Sequence, residues 1–120
     1  MDEISIKLPA KPEYMSVARL TTAGLANRLG FSIDEIEDLK VAVSEAGNYL
    51  INQFSDITIL RINYVIEADS RIHAHITAPG ASIVSEQENK ESELSLFLIE
   101  SVTDQLIKEV DRGIIKGFSI

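Results

Sequence analysis

The stretch SIDEIEDLKVAVSEAGNYLINQF, residues 32–54, decides the fold because it reads as one long amphipathic helix. Its first four residues match the capping box, in which the Ser32 hydroxyl and the Glu35 carboxylate satisfy backbone N–H groups of the first turn. Apolar side chains then recur at steps of three and four residues, which gives a stripe for burial: Ile36, Leu39, Val43, Ala46 and Leu50. We therefore predict that this helix is the centre of a small α/β domain.

A second face of the same helix is polar and is the one candidate for a chemical site. Glu45, Asn48 and Asn52 follow one another at about one-turn intervals on this face. Carboxylate and amide oxygens in this arrangement can coordinate a hard cation or position a water molecule. A solvated surface with no chemical task explains the same residues, and spacing alone favours that interpretation.

Composition narrows the classes of function. The chain has 120 residues, which predicts one domain over residues 1–120. A net charge of −8 argues against binding to nucleic acids or to anionic membranes, because both need a basic face. The absence of cysteine excludes disulfides, thiolate nucleophiles and cysteine-based zinc sites. No stretch approaches the ~20 apolar residues of a membrane span, and the N-terminus lacks a signal-peptide core, so we expect a cytoplasmic protein.

The rest of the chain alternates between strand and helix patterns. Strands are predicted at residues 3–8, 56–67, 71–78, from 106 to about 110, and 114–120, and helices at 13–29 and 92–103, with a polar loop at 79–91. The apolar stripe of the first helix is predicted at Tyr14, Ala18, Thr21, Leu25 and Leu29, and that of the last at Leu94, Leu98, Ser101 and Val102. His73 and His75 face outward on one strand and could bind a metal, although no third ligand is evident. This order predicts an α/β (α+β) two-layer sandwich, with a mixed, mostly antiparallel sheet covered by three helices.

Three segments resemble one known family. The segments are DEIEDLKVAVSEA at 34–46, LPAKPEY at 8–14 and LSLFLIESVTDQL at 94–106. Together they resemble the anti-sigma-factor serine kinases of the GHKL ATPase superfamily, the RsbW and SpoIIAB type. The resemblance implies the Bergerat ATP-binding fold, a homodimer, and ATP with Mg²⁺ as cofactors. It also implies two protein partners: a sigma factor, and an anti-anti-sigma (STAS) protein that is phosphorylated on serine.

The first ATP motif of that family falls on the long helix. The resemblance makes Glu45 the catalytic base and places the Mg²⁺-binding Asn four residues later, where this chain has Tyr49. Asn48 lies one residue early, about 100° around the helix, and could bind Mg²⁺ only if the helix rotated or bulged.

The other two ATP motifs depart from the family pattern. Gly80 matches a family glycine, but Ala78 stands where an Asp should contact the adenine amino group. The glycine positions of the phosphate-binding turn hold Ser92, Glu93 and Ser95, and the family's ATP lid is shortened. A simple turn at Pro79-Gly80 and a capped helix start at Ser92 explain these residues without a nucleotide.

Three hypotheses follow. The first is an anti-sigma-like regulator that binds its partners while nucleotide binding is weakened or lost. The second is an active serine kinase that uses Glu45 as base and Asn48 or Asn52 on magnesium. The third is a structural dimerisation domain that pairs through exposed apolar edges such as the first strand.

Overall fold

The central helix forms as its capping pattern predicts. In the computed structural model, which describes residues 1–68, 71–85, 90–103 and 105–120, the Glu35 N–H donates to Ser32 Oγ at 3.2 Å. The Ser32 N–H donates back to Glu35 Oε1 at 2.9 Å, and this bond is the main reason that the pKa of Glu35 lies below its usual range. The resulting helix, α2, spans Ile33–Gln53 and is followed by Phe54, which is extended and buried.

The predicted order of elements is confirmed. The chain runs through β1 (Asp2–Pro9), a 3₁₀ turn (Pro12–Tyr14), α1 (Met15–Arg28), α2, β2 (Ile59–Glu67), β3 (Arg71–Thr77), α3 (Lys90–Val102), β4 (Ile107–Asp111) and β5 (Ile114–Ser119). The strands form one sheet in the order β1-β2-β3-β5-β4. Its described pairings are all antiparallel, so the sheet is simpler than the mixed one predicted. The α+β class and the two-layer sandwich with three helices are confirmed.

The core lies between α2 and one face of the sheet. Leu60, Ile62 and Tyr64 of β2 are buried, as their alternation predicts, and Ile76 and Phe118 extend this surface across β3 and β5. From above, α2 contributes Val43, Ala46 and Leu50 of the predicted stripe. The spacing of apolar residues along the sequence is therefore enough to predict the buried face of α2 and the inner face of β2.

The buried faces of α1 and α3 differ from the predictions. In α1 the buried residues are Met15, Ala18, Thr22 and Ala26, whereas the predicted Tyr14 is exposed. In α3 the buried residues are Ser95 and Ile99, whereas the predicted Leu94 is exposed. Both helices carry apolar residues on more than one side, so their rotation is set by packing rather than by period. In α1, Met15 packs closely against Gly47 of α2. A side chain at Gly47 would not fit, because its Cβ would lie only 2.6 Å from the Met15 Sδ.

The β4–β5 hairpin closes through the predicted turn. Arg112 and Gly113 both have positive φ, of 54° and 79°, as a two-residue type I′ turn requires. This hairpin places β4 at one edge of the sheet, and β1 lies at the other.

None of the helices in the described ranges is long and apolar enough to cross a membrane. The cytoplasmic location expected from the sequence stays a prediction.

Candidate functional site

The predicted polar face of α2 points towards α3. Glu45 is half-buried there, and its Oε2 accepts a hydrogen bond from Ser95 Oγ at 2.7 Å. Ser95 lies 50 residues away in sequence and is only 4% exposed. The structure therefore joins two of the predicted site residues directly, across the contact between α2 and α3.

Asn48 and Asn52 lie on the same side of α2 as Glu45, and both are half-buried. Within the described part of the chain, neither side-chain amide has a hydrogen-bond partner. A carboxylate and two amides thus lie along one helix face, as the spacing predicts.

Tyr49, four residues after Glu45, is a core residue. Its ring meets that of Phe118 edge-on, with centroids 5.4 Å apart and planes at 89°. Burial raises the pKa of the Tyr49 phenol, and the positive charge of Lys108 offsets part of this effect. The side chain at this position therefore packs between helix and sheet.

The residues after β3 form a tight turn. The Ala81 N–H donates to the Ala78 carbonyl at 3.2 Å, and Gly80 between them has a φ of 78°. Proline followed by a glycine at positive φ is the signature of a type II turn. This turn accounts for the conformation of Gly80, while the Ala78 side chain is half-buried and packs against the core.

Ser92, Glu93 and Ser95 all lie inside α3 rather than in a turn before it. The helix begins at Lys90, two residues earlier than predicted, so Ser92 is not its N-cap. Ser92 is half-buried, Glu93 is exposed and Ser95 faces α2. The predicted loop at 86–89 lies outside the described residues.

Sequence reasoning missed a clamp that fixes the chain beyond Gly80. The carboxylate of Asp56 accepts hydrogen bonds from the Ser82 N–H at 3.0 Å and the Ile83 N–H at 2.9 Å. The bond from Ile83 is the main reason that the pKa of Asp56 lies below its usual range. Ser85 N–H also donates to the Gln53 carbonyl at 2.8 Å, which holds this segment against the C-terminal end of α2. An Asp soon after a helix is a common turn residue, but nothing in the local sequence points to partners 26 residues away.

Contacts hold both of the other segments against α2 or its C-terminal end. Ser85 bonds to Gln53 at the C-terminal end of the helix, and Ser95 of α3 bonds to Glu45 in its middle.

The two outward-facing histidines pair with carboxylates on the sheet. His73 Nε2 lies 3.3 Å from a carboxylate oxygen of Glu67, and His75 contacts Glu109. Among the side chains that the structure describes, no group of three acidic or histidine residues could hold a metal ion.

Comparison with known proteins decides the family. No protein-family model matches the chain. The serine-protein kinase RsbW of Listeria monocytogenes serotype 4a (strain HCC23) is 36% identical over 131 residues, which cover 94% of this chain and 83% of the relative. RsbW of Bacillus cereus (strain G9842) is 33% identical over 128 residues, with 93% and 80% covered.

The chain belongs to the RsbW family of anti-sigma-factor serine kinases. Sequence identity is higher over a shorter stretch. RsbW of Oceanobacillus iheyensis is 65% identical over 51 residues, which cover 42% of this chain and 32% of the relative. The Listeria RsbW alignment spans 131 positions, yet 94% of this chain is only about 113 residues. About 18 RsbW positions therefore have no counterpart here.

Proposed function

We propose that this chain is a one-domain anti-sigma regulator that acts by binding protein partners, and that its nucleotide binding is weakened or lost. The observation that carries the proposal is the hydrogen bond from Ser95 to Glu45. It lies at the position that the family resemblance assigns to the catalytic base.

The bond engages one oxygen of the carboxylate that a kinase would need as its base. A general base must take a proton from the substrate hydroxyl, and here Oε2 of Glu45 already accepts a hydrogen bond from the buried hydroxyl of Ser95. Ser95 stands at a position where the resemblance expects glycine. Its side chain fills space between α2 and α3 that bare backbone would leave open.

The remaining positions are poor ligands for ATP–Mg²⁺. Ala78 offers no side-chain acceptor, and an adenine amino group left without one costs roughly 1–3 kcal/mol. Tyr49 packs into the core against Phe118, so a phenol stands where the family has a Mg²⁺-binding amide. Glu93 puts a negative charge at the start of α3, where a triphosphate would be repelled. In this proposal the site therefore performs no step through a bound nucleotide.

The length of the chain gives separate support. The connection from β3 to α3 is 12 residues, from 78 to 89. The missing RsbW positions are compatible with a shortened lid in this connection.

The partners follow from the family. We propose that the chain binds a sigma factor, an anti-anti-sigma (STAS) protein, or both, and that it does so as a homodimer in the cytoplasm. β1 is an edge strand, so its free edge is one surface through which two copies could pair.

Two binding measurements test the proposal. Titration calorimetry with ATP and Mg²⁺ should give no binding in the micromolar range. Surface plasmon resonance against purified sigma factors and anti-anti-sigma proteins of the source organism should give nucleotide-independent binding to at least one. Micromolar ATP affinity would contradict the lost-nucleotide part, and failure to bind any of these proteins would contradict the regulator part.

The second candidate function is an active serine kinase. It is favoured by the name of the relatives, serine-protein kinase, and by Glu45 at the matching position. Phosphate transfer from labelled ATP to a purified anti-anti-sigma protein tests it. This candidate requires transfer that is abolished by Glu45→Ala and retained by the control Glu37→Ala, on the exposed side of the same helix.

A further inference from the structure

A short stretch of backbone pairing holds the β4–β5 hairpin to the rest of the sheet. Residues 117–119 of β5 pair with residues 75–77 of β3, and Ala74 and Ile120 exchange two further hydrogen bonds of 2.8 and 3.1 Å. By comparison, β1 pairs with β2 along its whole length. β4 lies beyond β5 at the edge of the sheet, so a side chain that reaches from β4 past β5 adds to the attachment of the hairpin.

The Glu109 side chain makes such a contact. Its Oε1 contacts the Nε2 of His75 on β3, although the backbone of Glu109 pairs with Gly117 of β5. A Cβ at Gly117 would lie 3.0 Å from Glu109 Oε2, so the carboxylate lies over the bare backbone of this glycine. The side chain thus spans a whole strand, about 5 Å wide, and joins β4 directly to β3.

A second side chain of β4 makes a contact on the opposite face of the sheet. Lys108 precedes Glu109 and therefore points to the face that the helices cover, where its Nζ lies 2.5 Å from Glu100 Oε1 of α3. A lysine is charged throughout the physiological pH range, whereas a histidine is not. Of these two contacts, the one between His75 and Glu109 is therefore the one whose strength varies with pH.

Charged and polar groups surround the His75 imidazole on the face of the sheet opposite the helices. Besides Glu109 they come from three strands: Arg61 and Asn63 of β2, His73 of β3, and Gly117 and Ser119 of β5. Arg61 carries a positive charge but lies diagonally, opposite Thr77, and His73 is paired with Glu67 at 3.3 Å. Glu109 is in direct contact, so its negative charge acts at the shortest distance and attracts a protonated imidazole more strongly than a neutral one.

We propose that the contact between His75 and Glu109 is pH-sensitive and holds the β4–β5 hairpin to β3 more firmly when His75 is protonated. A histidine changes its charge between about pH 5 and about pH 8, whereas a glutamate stays ionised there. The contact is an ion pair at the acidic end of this range and a hydrogen bond to a neutral ring at the alkaline end. The attachment should therefore weaken as the pH rises. Both side chains are half-exposed, so solvent screening limits the change to about threefold in the opening equilibrium of the hairpin.

Amide hydrogen exchange of the protein alone measures this opening. Exchange is followed by mass spectrometry at about pH 5.5 and about pH 7.5, which bracket the change in histidine charge. Each rate is divided by the intrinsic rate at the same pH to give a protection factor. The protection of residues 107–119, relative to that of β1, should fall about threefold from the lower to the higher pH. An unchanged ratio would overturn the proposal.

Two matched histidine variants locate the effect. His75→Gln keeps a hydrogen-bonding side chain without the charge, so the protection of its hairpin should be the same at both pH values. His73→Gln is the control, because His73 lies on the same strand and face but contacts Glu67, and it should keep the threefold change. Survival of the change in His75→Gln, or its loss in both variants, would overturn the assignment to His75.

A matched pair of carboxylate variants tests the other partner. Glu109→Gln removes the negative charge, so at about pH 5.5 the protection of its hairpin should fall about threefold, to that of the unaltered protein at about pH 7.5. Glu67→Gln, which removes the partner of His73, should leave the hairpin unchanged. Unchanged protection in Glu109→Gln would contradict the proposal. All four changes are at the surface, and circular dichroism verifies that the fold is intact. These experiments need neither nucleotide nor partner, so their outcome is independent of the proposed function.

Discussion

Replacing Thr22 by Val should destabilise the protein more than replacing Tyr64 by Phe, although both changes remove the same hydrogen bond. Thr22 Oγ1 lies 2.8 Å from the Ala18 carbonyl oxygen and 2.7 Å from the Tyr64 hydroxyl, and both side chains are fully buried. The threonine proton is used on the carbonyl, so the tyrosine must donate to Thr22. This bond ties α1 to the middle of the sheet.

The magnitudes follow from what each change leaves behind. Tyr64→Phe leaves Thr22 donating to Ala18 as before, so it should cost about 0.5–1.5 kcal/mol, the net value of one hydrogen bond. Thr22→Val strands the buried Tyr64 hydroxyl without an acceptor, which costs about 1–3 kcal/mol. The double variant removes both polar groups and should be close to Tyr64→Phe alone.

Urea unfolding followed by circular dichroism measures these differences in the free energy of unfolding. In thermal unfolding, each 1 kcal/mol should lower the Tm by about 3–5 °C in a chain of this size. Two results would refute the reasoning. One is a Tyr64→Phe variant less stable than Thr22→Val. The other is a double variant less stable than both single ones.

Further predictions concern two glycines, the Asp56 clamp and the ionisation of Tyr64. Gly117→Ala should cost about 1–3 kcal/mol, because a Cβ there would lie 3.0 Å from a backbone carbonyl oxygen of β3. Gly24→Ala, which meets nothing within 4 Å, should instead stabilise by up to about 1 kcal/mol in the same urea assay. Asp56→Asn should speed amide hydrogen exchange in residues 82–83, whereas Asp38→Asn should not. The clamp that the Asp56 carboxylate makes should also open as the pH falls below 3.8, since its pKa is lowered in the folded state. At alkaline pH the sign reverses for Tyr64: its pKa is raised from 10.0, chiefly by burial, so stability should fall as the pH rises above 10, and less so in Tyr64→Phe.

Much of the fold could be predicted because its signals are local. The Ser32–Glu35 capping box joins residues three apart, and the Arg112-Gly113 turn joins neighbours. The alternation in β2 has a period of two, which fixes the inner face without reference to the rest of the chain.

The rotation of α1 and α3 could not be predicted. Both helices offer apolar side chains on several sides, and the choice depends on which side fits the surface below. Ser95 is buried because it meets Glu45, and Phe97 is exposed because the opposite side of α3 faces α2. The periodicity correctly placed Ala18 and Leu25 of α1 in the core, but it also placed there Tyr14 and Leu94, which are exposed.

The features of the candidate site likewise fall into those set by local sequence and those set by tertiary packing. The sequence by itself determined that Glu45, Asn48 and Asn52 share one helix face, since helical geometry depends only on spacing. It also determined the chemical types at positions such as Ala78 and Glu93. Only the tertiary structure decided that Ser95 bonds to Glu45, that Asp56 clamps the segment after Gly80, and that Phe97 of α3 is exposed. Those contacts join residues tens of positions apart, and their geometry is set by how helices and sheet pack rather than by any local pattern.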